Sequence, residues 1–276
     1  MGAPDIHPTA VVDPKARLGA GVRIGAHSVV GPEVELGDGV ELGHHAILEG
    51  RVLLGPRVKV GHGTALGGDP QDLKFKSGTP SGVRVGAGTV FREYVTVHRA
   101  SHADAFTEIG AGCFLMTQCH VGHDCRVGDG VILVNGVQIS GHCEIGERAT
   151  LGGLVGVVQF CRVGTYAYIG GCAKITRDIP PFVIADGYPA RAYGVNVVGL
   201  RRAGMTPADR RALQEAYRLL YRGGLPPPRA VERIRGELPA TPHVDTLLRF
   251  IETSKRGICA GARAAEVAAA ESEPVV

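Results

Sequence analysis

A hydrophobic period of six constrains this chain more than any other feature. Aliphatic residues stand at Ile6, Val12, Leu18, Ile24, Val30, Leu36, Leu42, Leu48, Leu54, Val60 and Leu66. A second run holds Ile109, Leu115, Val121, Val127, Leu133, Ile139, Ile145, Leu151, Val157, Val163, Ile169 and Ile175, and Val85, Phe91 and Val97 extend it backwards. Glycine often follows the aliphatic, as at Gly25, Gly37 and Gly61, and a small or β-branched residue sits four positions after it. Six is neither the helical period nor plain strand alternation. It fits the short strands of a parallel β-solenoid, with glycine relieving steric limits at each bend. Three hexads make a triangular coil of 18 residues, and coils stack about 4.8 Å apart. Residues 18 apart in sequence are then neighbours on successive rungs.

Composition agrees with this. Gly is 41 of 276 residues and aromatics are only 5%, so the core must be built from small and branched aliphatics. Cys113, Cys119, Cys125, Cys143 and Cys161 fall in the small slot of the hexad and read as reduced core fillers. The formal net charge of +3 is too small to imply nucleic-acid binding through bulk charge. No apolar run spans a membrane, the N-terminus does not read as a secretory signal, and a cytoplasmic protein is expected.

The register breaks at Gly68–Ser81 and again near Arg99–Thr107, then resumes, which predicts two loops (about 68–82 and 99–108) thrown out of the prism. The hexads end near Ile175, so the β-solenoid is assigned to 1–190. Helical signals follow over 191–258. Thr206-Pro207 reads as N-cap and first helical residue, a second helix begins near Arg229, and a third follows Thr241-Pro242. Residues 259–276 are expected to form a flexible tail.

The densest ionisable cluster is His120, His123, Asp124 and His142. The 18-residue coil stacks Asp124 on His142, and His123 on Gly141 and then Gln159. A glycine beside a histidine leaves room for a substrate and exposes a backbone N–H to a developing oxyanion. The reading is a histidine general base with a neighbouring acid orienting it. Two alternatives stand beside it: solvated histidines on a solenoid face, and a zinc site, although H-x2-H-D departs from the spacing of zinc-binding solenoids. Lys74, Lys76, Arg201 and Arg202 are candidate phosphate contacts against a simple solvated basic face.

HPTAVVDPKARLG at the start, QDLKF in the first loop, REYVTVHR at 92–99, HVGHDCRVG at 120–128, QFCRVG at 159–164, GGC at 170–172 and GVNVVGLRR at 194–202 together resemble one family, the UDP-N-acetylglucosamine O-acyltransferases. The resemblance runs in order from about residue 6 to 257. It implies a left-handed parallel β-helix with a small α-helical C-terminal domain. It implies a homotrimer with active sites in clefts between subunits, and no cofactor or metal. The reaction implied is transfer of an (R)-3-hydroxyacyl group from acyl carrier protein to the glucosamine 3-position of a UDP-sugar, the first step of lipid A synthesis, without a covalent acyl-enzyme.

Residue by residue, the resemblance makes His123 the general base, Asp124 its orienting acid and the Gly141 N–H the oxyanion donor. It places Gln71, Asp72, Lys74, His120, His142, Gln159, Asn196 and Arg202 against the substrates. Gly171 occupies the position that limits acyl length. Val158, Val198 and Ala203 depart from the family pattern on the acceptor side, which leaves open a 3-amino UDP-sugar acceptor. The further alternatives are the later N-acyltransferase, whose additional N-terminal domain has no counterpart before Ile6, a metal-dependent hydratase, and a non-catalytic scaffold.

Overall fold

The computed structural model describes residues 2–263. Its hexads form strands of mostly two residues that pair in parallel with strands one coil away, for example Arg23 with Glu41 and His120 with Gln138. Three sheets result, of eleven, nine and eight strands, which we call the first, second and third faces. Inward side chains form one continuous core. Leu48, Leu66, Leu115, Leu133, Ile139 and Leu151 are completely buried, and the five hexad cysteines are buried among them. Stacking these apolar columns rung upon rung is what makes the solenoid stable.

The glycines after each aliphatic have a different reason from the one expected. Gly25 and Gly37 do not adopt left-handed backbone. A Cβ at Gly25 would lie 2.7 Å from the backbone of Gly43, and one at Gly37 2.7 Å from Pro56 N, so the close approach of the next rung excludes a side chain. The left-handed residue comes two positions later and is often not glycine: His45, Asp124, His142 and Phe160 all have φ near 60°. Such residues cost about 1–2 kcal/mol each, and the stacked hydrogen bonds on either side hold them there.

Past the last hexad, Val183–Asp186 continues the first face and Arg191–Val195 returns antiparallel to it. Four helices follow: α1 (Val197–Arg202), α2 (Pro207–Arg222), α3 (Pro227–Glu237) and α4 (Pro242–Glu252). Thr206 and Thr241 cap α2 and α4 through their hydroxyls, with proline at the first helical position. The apolar sides of these helices meet in a second core around Leu200, Leu213, Leu219, Ile234, Val244 and Leu247, which Phe182 joins to the prism end.

Residues 259–262, expected as the start of a loose tail, are pinned instead. The Cys259 N–H donates to Asp178 O at 2.8 Å, the Ala192 N–H to Ala260 O at 2.9 Å, and Cys259 is buried. Periodicity carries no signal for such a single strand-like return. The remainder of that predicted tail, 264–276, lies outside the described residues.

Candidate active site

Both interruptions of the hexad pattern leave the prism at the same edge, between the second and third faces. The first runs from Gly68 to Gly82 and the second from His98 to Phe106. The next rungs of that edge are Gly122-His123-Asp124-Cys125, then Ser140-Gly141-His142-Cys143, then Val158-Gln159-Phe160-Cys161. The loops therefore flank the ionisable cluster.

His123 is buried, and its Nδ1 lies 2.6 Å from Asp124 Oδ2. Asp124 is in turn held by the Ser101 N–H, at 3.0 and 3.2 Å from its two oxygens, while the Asp124 N–H donates to Thr107 Oγ1 at 2.9 Å. With Nδ1–H donating to the carboxylate, Nε2 carries the free lone pair. Nε2 faces the bare side of Gly141, where a Cβ would meet it at 2.6 Å. His142 Nε2 stands 3.6 Å from Asp124 Oδ2, and the His142 ring packs edge-on to His123 and flat on Phe160.

The capping of corner amides also bears on Gly141. At this slot the N–H of some residues is capped by the side chain of the next rung, Ala20 by Asp38, Ala26 by His44 and Ala111 by Asp129, while that of others, such as Ala87, Asn135 and Glu147, is not. Gly141 has no side chain to cap the His123 N–H. Among the described residues no group accepts from the Gly141 N–H either, because Gln159 on the following rung does not turn back to it. Register thus leaves unspent backbone donors beside an imidazole with a free lone pair.

Burial sets the charge states around the pair. It pushes down the pKa of His142 and His98, and holds His120 at about 4, where the positive charges of His98 and His123 add to the effect. Burial works against ionising Asp124, but its bonds from His123 and Ser101 more than offset this and keep its pKa below the ordinary value. One consequence is measurable. The folded value of His120 lies below its ordinary 6.5, so the unfolded chain takes up the proton first as pH falls. Stability then declines from about pH 6.5 to about 4, by on the order of 3 kcal/mol for this group. His120→Gln should flatten that part of a denaturation series between pH 7 and 4. An equally steep loss in the variant would contradict the assignment.

The structure brings His120, His123, Asp124, Gly141, His142 and Gln159 to one edge region. His120 sits on the second face with Nδ1 2.8 Å from Thr96 Oγ1. Gln71, Asp72 and Lys74 lie on the first loop, where Asp72 Oδ1 accepts the Lys74 N–H at 2.9 Å and the Asp72 charge is felt at His142. Three other candidates lie elsewhere on the same chain. Gly171 is on the edge between the first and second faces. Asn196 caps α1 by accepting from the Gly199 N–H, and ties α1 to the prism by donating to Tyr166 O at 2.9 Å. Arg202 is exposed at the end of α1. Sequence reasoning missed the roles of Ser101 and Thr107, which hold Asp124. Its one available clue was that both belong to the second interruption.

His123, Asp124 and His142 also offer three ligand atoms within 4.8 Å of one another. Binding an ion there would replace the His123–Asp124 hydrogen bond, so this donor set fits a proton-transfer pair better than a metal cage.

Residues 178–259 match the family described as UDP N-acetylglucosamine O-acyltransferase, domain 2, and residues 106–141 match the six-repeat bacterial transferase hexapeptide. An acyl-[acyl-carrier-protein]–UDP-N-acetylglucosamine O-acyltransferase of Sulfurihydrogenibium sp. is 57% identical over 255 residues, spanning 92% of this chain and 94% of that protein. The chain belongs to the UDP-N-acetylglucosamine O-acyltransferase family. The Thermodesulfovibrio yellowstonii member is 42% identical over 256 residues, spanning 92% of this chain and 99% of its own. The solved structure of LpxA from Acinetobacter baumannii superposes with a TM-score of 0.89 at 36% identity, covering 92% of this chain and 99% of that one. The protein is an acyltransferase, and its fold is the family's left-handed parallel β-helix with a helical C-terminal domain. Family membership sets aside the hydratase and scaffold readings. No helix among the described residues is long and apolar enough to cross a membrane.

Proposed function

We propose that the protein transfers a 3-hydroxyacyl group from the phosphopantetheine thioester of acyl carrier protein to the glucosamine 3-hydroxyl of UDP-N-acetylglucosamine, with His123 as general base. The observation that carries this is the His123–Asp124 hydrogen bond opposite the side-chain-free, uncapped Gly141. Neutral Nε2 takes the hydroxyl proton as the oxygen attacks the thioester carbonyl. Asp124 steadies the imidazolium, and the Gly141 N–H donates to the tetrahedral oxyanion. Collapse of that intermediate breaks the carbon–sulfur bond, and the departing thiolate takes the proton back from Nε2. The ester, the free thiol and the neutral imidazole balance the step without a metal or an acyl-enzyme. Cys125, the nearest thiol in sequence, is buried with Sγ directed to Ser140 O at 3.1 Å, away from this role.

The faces of the prism support a homotrimer with the site between copies. Outward positions of the third face carry a ladder of charge, Arg84–Glu108–Arg126 and Glu144–Arg162. The second face instead presents Val11, Val29, Ile47, Ala65, Thr96, His120, Gln138 and Gly156, uncharged until Lys174. The C-terminal half of the first face presents Val90, Phe114, Ile132, Thr150 and Tyr168. These uncharged stretches of two faces, which flank one edge, suit a second and third copy packed against them. In that arrangement Gly171, Asn196 and Arg202 of a neighbour complete the site that one chain leaves open, with Gly171 admitting the acyl chain. Lys74, Arg202 and Gln159 are then placed to meet the nucleotide, and a cytoplasmic location follows from the donor.

Mass spectrometry of the product tests the reading. Purified protein is offered hydroxyacyl-acyl carrier proteins of graded length with UDP-N-acetylglucosamine or its 3-amino analogue. The expected product is an alkali-labile ester of UDP-N-acetylglucosamine. An alkali-stable amide formed only on the amino sugar would replace the acceptor, and no acyl transfer with any pair would end the proposal.

A further inference from the structure

Among the described residues, only two buried side-chain polar atoms lack a hydrogen-bond partner: His98 Nδ1 and Arg99 Nε. They are consecutive, at the point where the second loop leaves the catalytic edge. Buried unsatisfied donors are rare and costly, so an arginine retained there calls for a reason other than stability. Its remaining contacts supply one. The Arg99 side chain is only 12% exposed and forms an ion pair with Asp69, at the root of the first loop. One terminal nitrogen donates to Gly67 O at 3.3 Å, and the guanidinium lies 5.6 Å from the centre of the Phe75 ring, further along the same loop. Space for it is kept by Gly50, where a Cβ would sit 2.5 Å from that nitrogen. Two residues beyond Arg99, the Ser101 N–H holds Asp124.

We infer that Arg99 is a positioning residue that clamps the loop bearing Gln71, Asp72 and Lys74 over the His123–Asp124 pair. It grips the loop at Asp69 and at Phe75, so the intervening substrate-facing residues are fixed relative to the base. Arginine is required because one planar group must make an ion pair, a carbonyl contact and an aromatic contact at once, which a lysine ammonium does not do. The inference rests on the loop's role in the proposed reaction, but the clamp itself is separately measurable.

Arg99→Gln and Arg99→Lys, with Asp69→Asn as a milder break from the loop side, test it. The expected result for Arg99→Gln is a KM for the nucleotide sugar raised about tenfold or more with kcat lowered less than threefold. The pH midpoint of kcat should not move, because Ser101 still holds Asp124. Arg99→Lys should recover only part of the loss. Trypsin should cut at Lys74 or Lys76 several times faster in both Arg99→Gln and Asp69→Asn than in the parent protein. If Arg99→Gln does not fold, Asp69→Asn carries the same two readouts. A fall in kcat with KM unchanged, or trypsin cleavage no faster than in the parent, overturns the clamp. A parent protein without acyl transfer would instead overturn the functional reading, and the cleavage rates would still decide the clamp.

Discussion

Replacing His123 with alanine is expected to lower kcat/KM by about a thousandfold while leaving fold and assembly intact. General-base catalysis contributes roughly 10²–10⁴, and here no second group stands ready to substitute. Burial pushes the His142 pKa down, and its Nε2 is turned toward Asp124 at 3.6 Å rather than toward Gly141. His120 is engaged with Thr96 on the second face. The fold has little reason to respond. Asp124 keeps its bonds to Ser101 and Thr107, the His123 carbonyl still accepts the His142 N–H at 2.9 Å, and the apolar columns do not include the imidazole. Steady-state kinetics, thermal melting and sedimentation read these separately. Turnover within tenfold of the parent, with melting and mass unchanged, would remove His123 from the reaction.

The hexad makes much of this molecule legible in its sequence. A period of six with 18-residue stacking placed Asp124 against His142 and His123 against Gly141, because in a solenoid the register is the tertiary structure. What escaped is what does not repeat. The hold of Ser101 on Asp124 and the grip of Arg99 on Asp69 and Phe75 join residues from two loops, and no period relates them. Helix α1 is six residues long and stands on the Asn196 cap and buried Leu200, too short for an amphipathic pattern to emerge. The pattern also carries no sign of the structural work Asn196 does within the chain, accepting from the Gly199 N–H and donating to Tyr166 O. The return of residues 259–262 along Asp178 and Ala192 is backbone pairing, which leaves no periodic pattern in the side chains.

The same distinction explains how the site arises. The solenoid caps some of its corner amides from one rung to the next, as Asp38 caps Ala20 and Asp129 caps Ala111, and leaves others open. At Gly141 the imidazole of His123 takes the space a side chain would fill, and this is the place where the proposed reaction puts its base and its oxyanion donor. Two loops inserted at that edge supply what a bare solenoid lacks: a hydrogen bond that orients the acid and, in the proposed reaction, side chains to meet a substrate.

Adding a single methyl group at this position is therefore the sharpest challenge to this account. Gly141→Ala is expected to cost about a hundredfold or more in kcat/KM. Its backbone is not left-handed, so alanine is conformationally allowed and the unfolded chain gains no freedom from the change. The new Cβ would lie 2.6 Å from His123 Nε2 and 2.7 Å from Cε1, well inside contact distance. The imidazole must turn away, which breaks the 2.6 Å bond to Asp124, and the methyl occupies the space between base and oxyanion donor. Pairing the substitution with His123→Ala separates steric action through the base from direct obstruction of the substrate. If the methyl acts only by displacing the imidazole, the double variant is no slower than His123→Ala alone, since the two changes remove one interaction. A further drop in the double variant would mean that the methyl also obstructs the substrate's approach to the backbone N–H, which alanine keeps. Gly141→Ala turning over within threefold of the parent would mean that substrate does not enter between His123 and this amide, and both assignments would fall together.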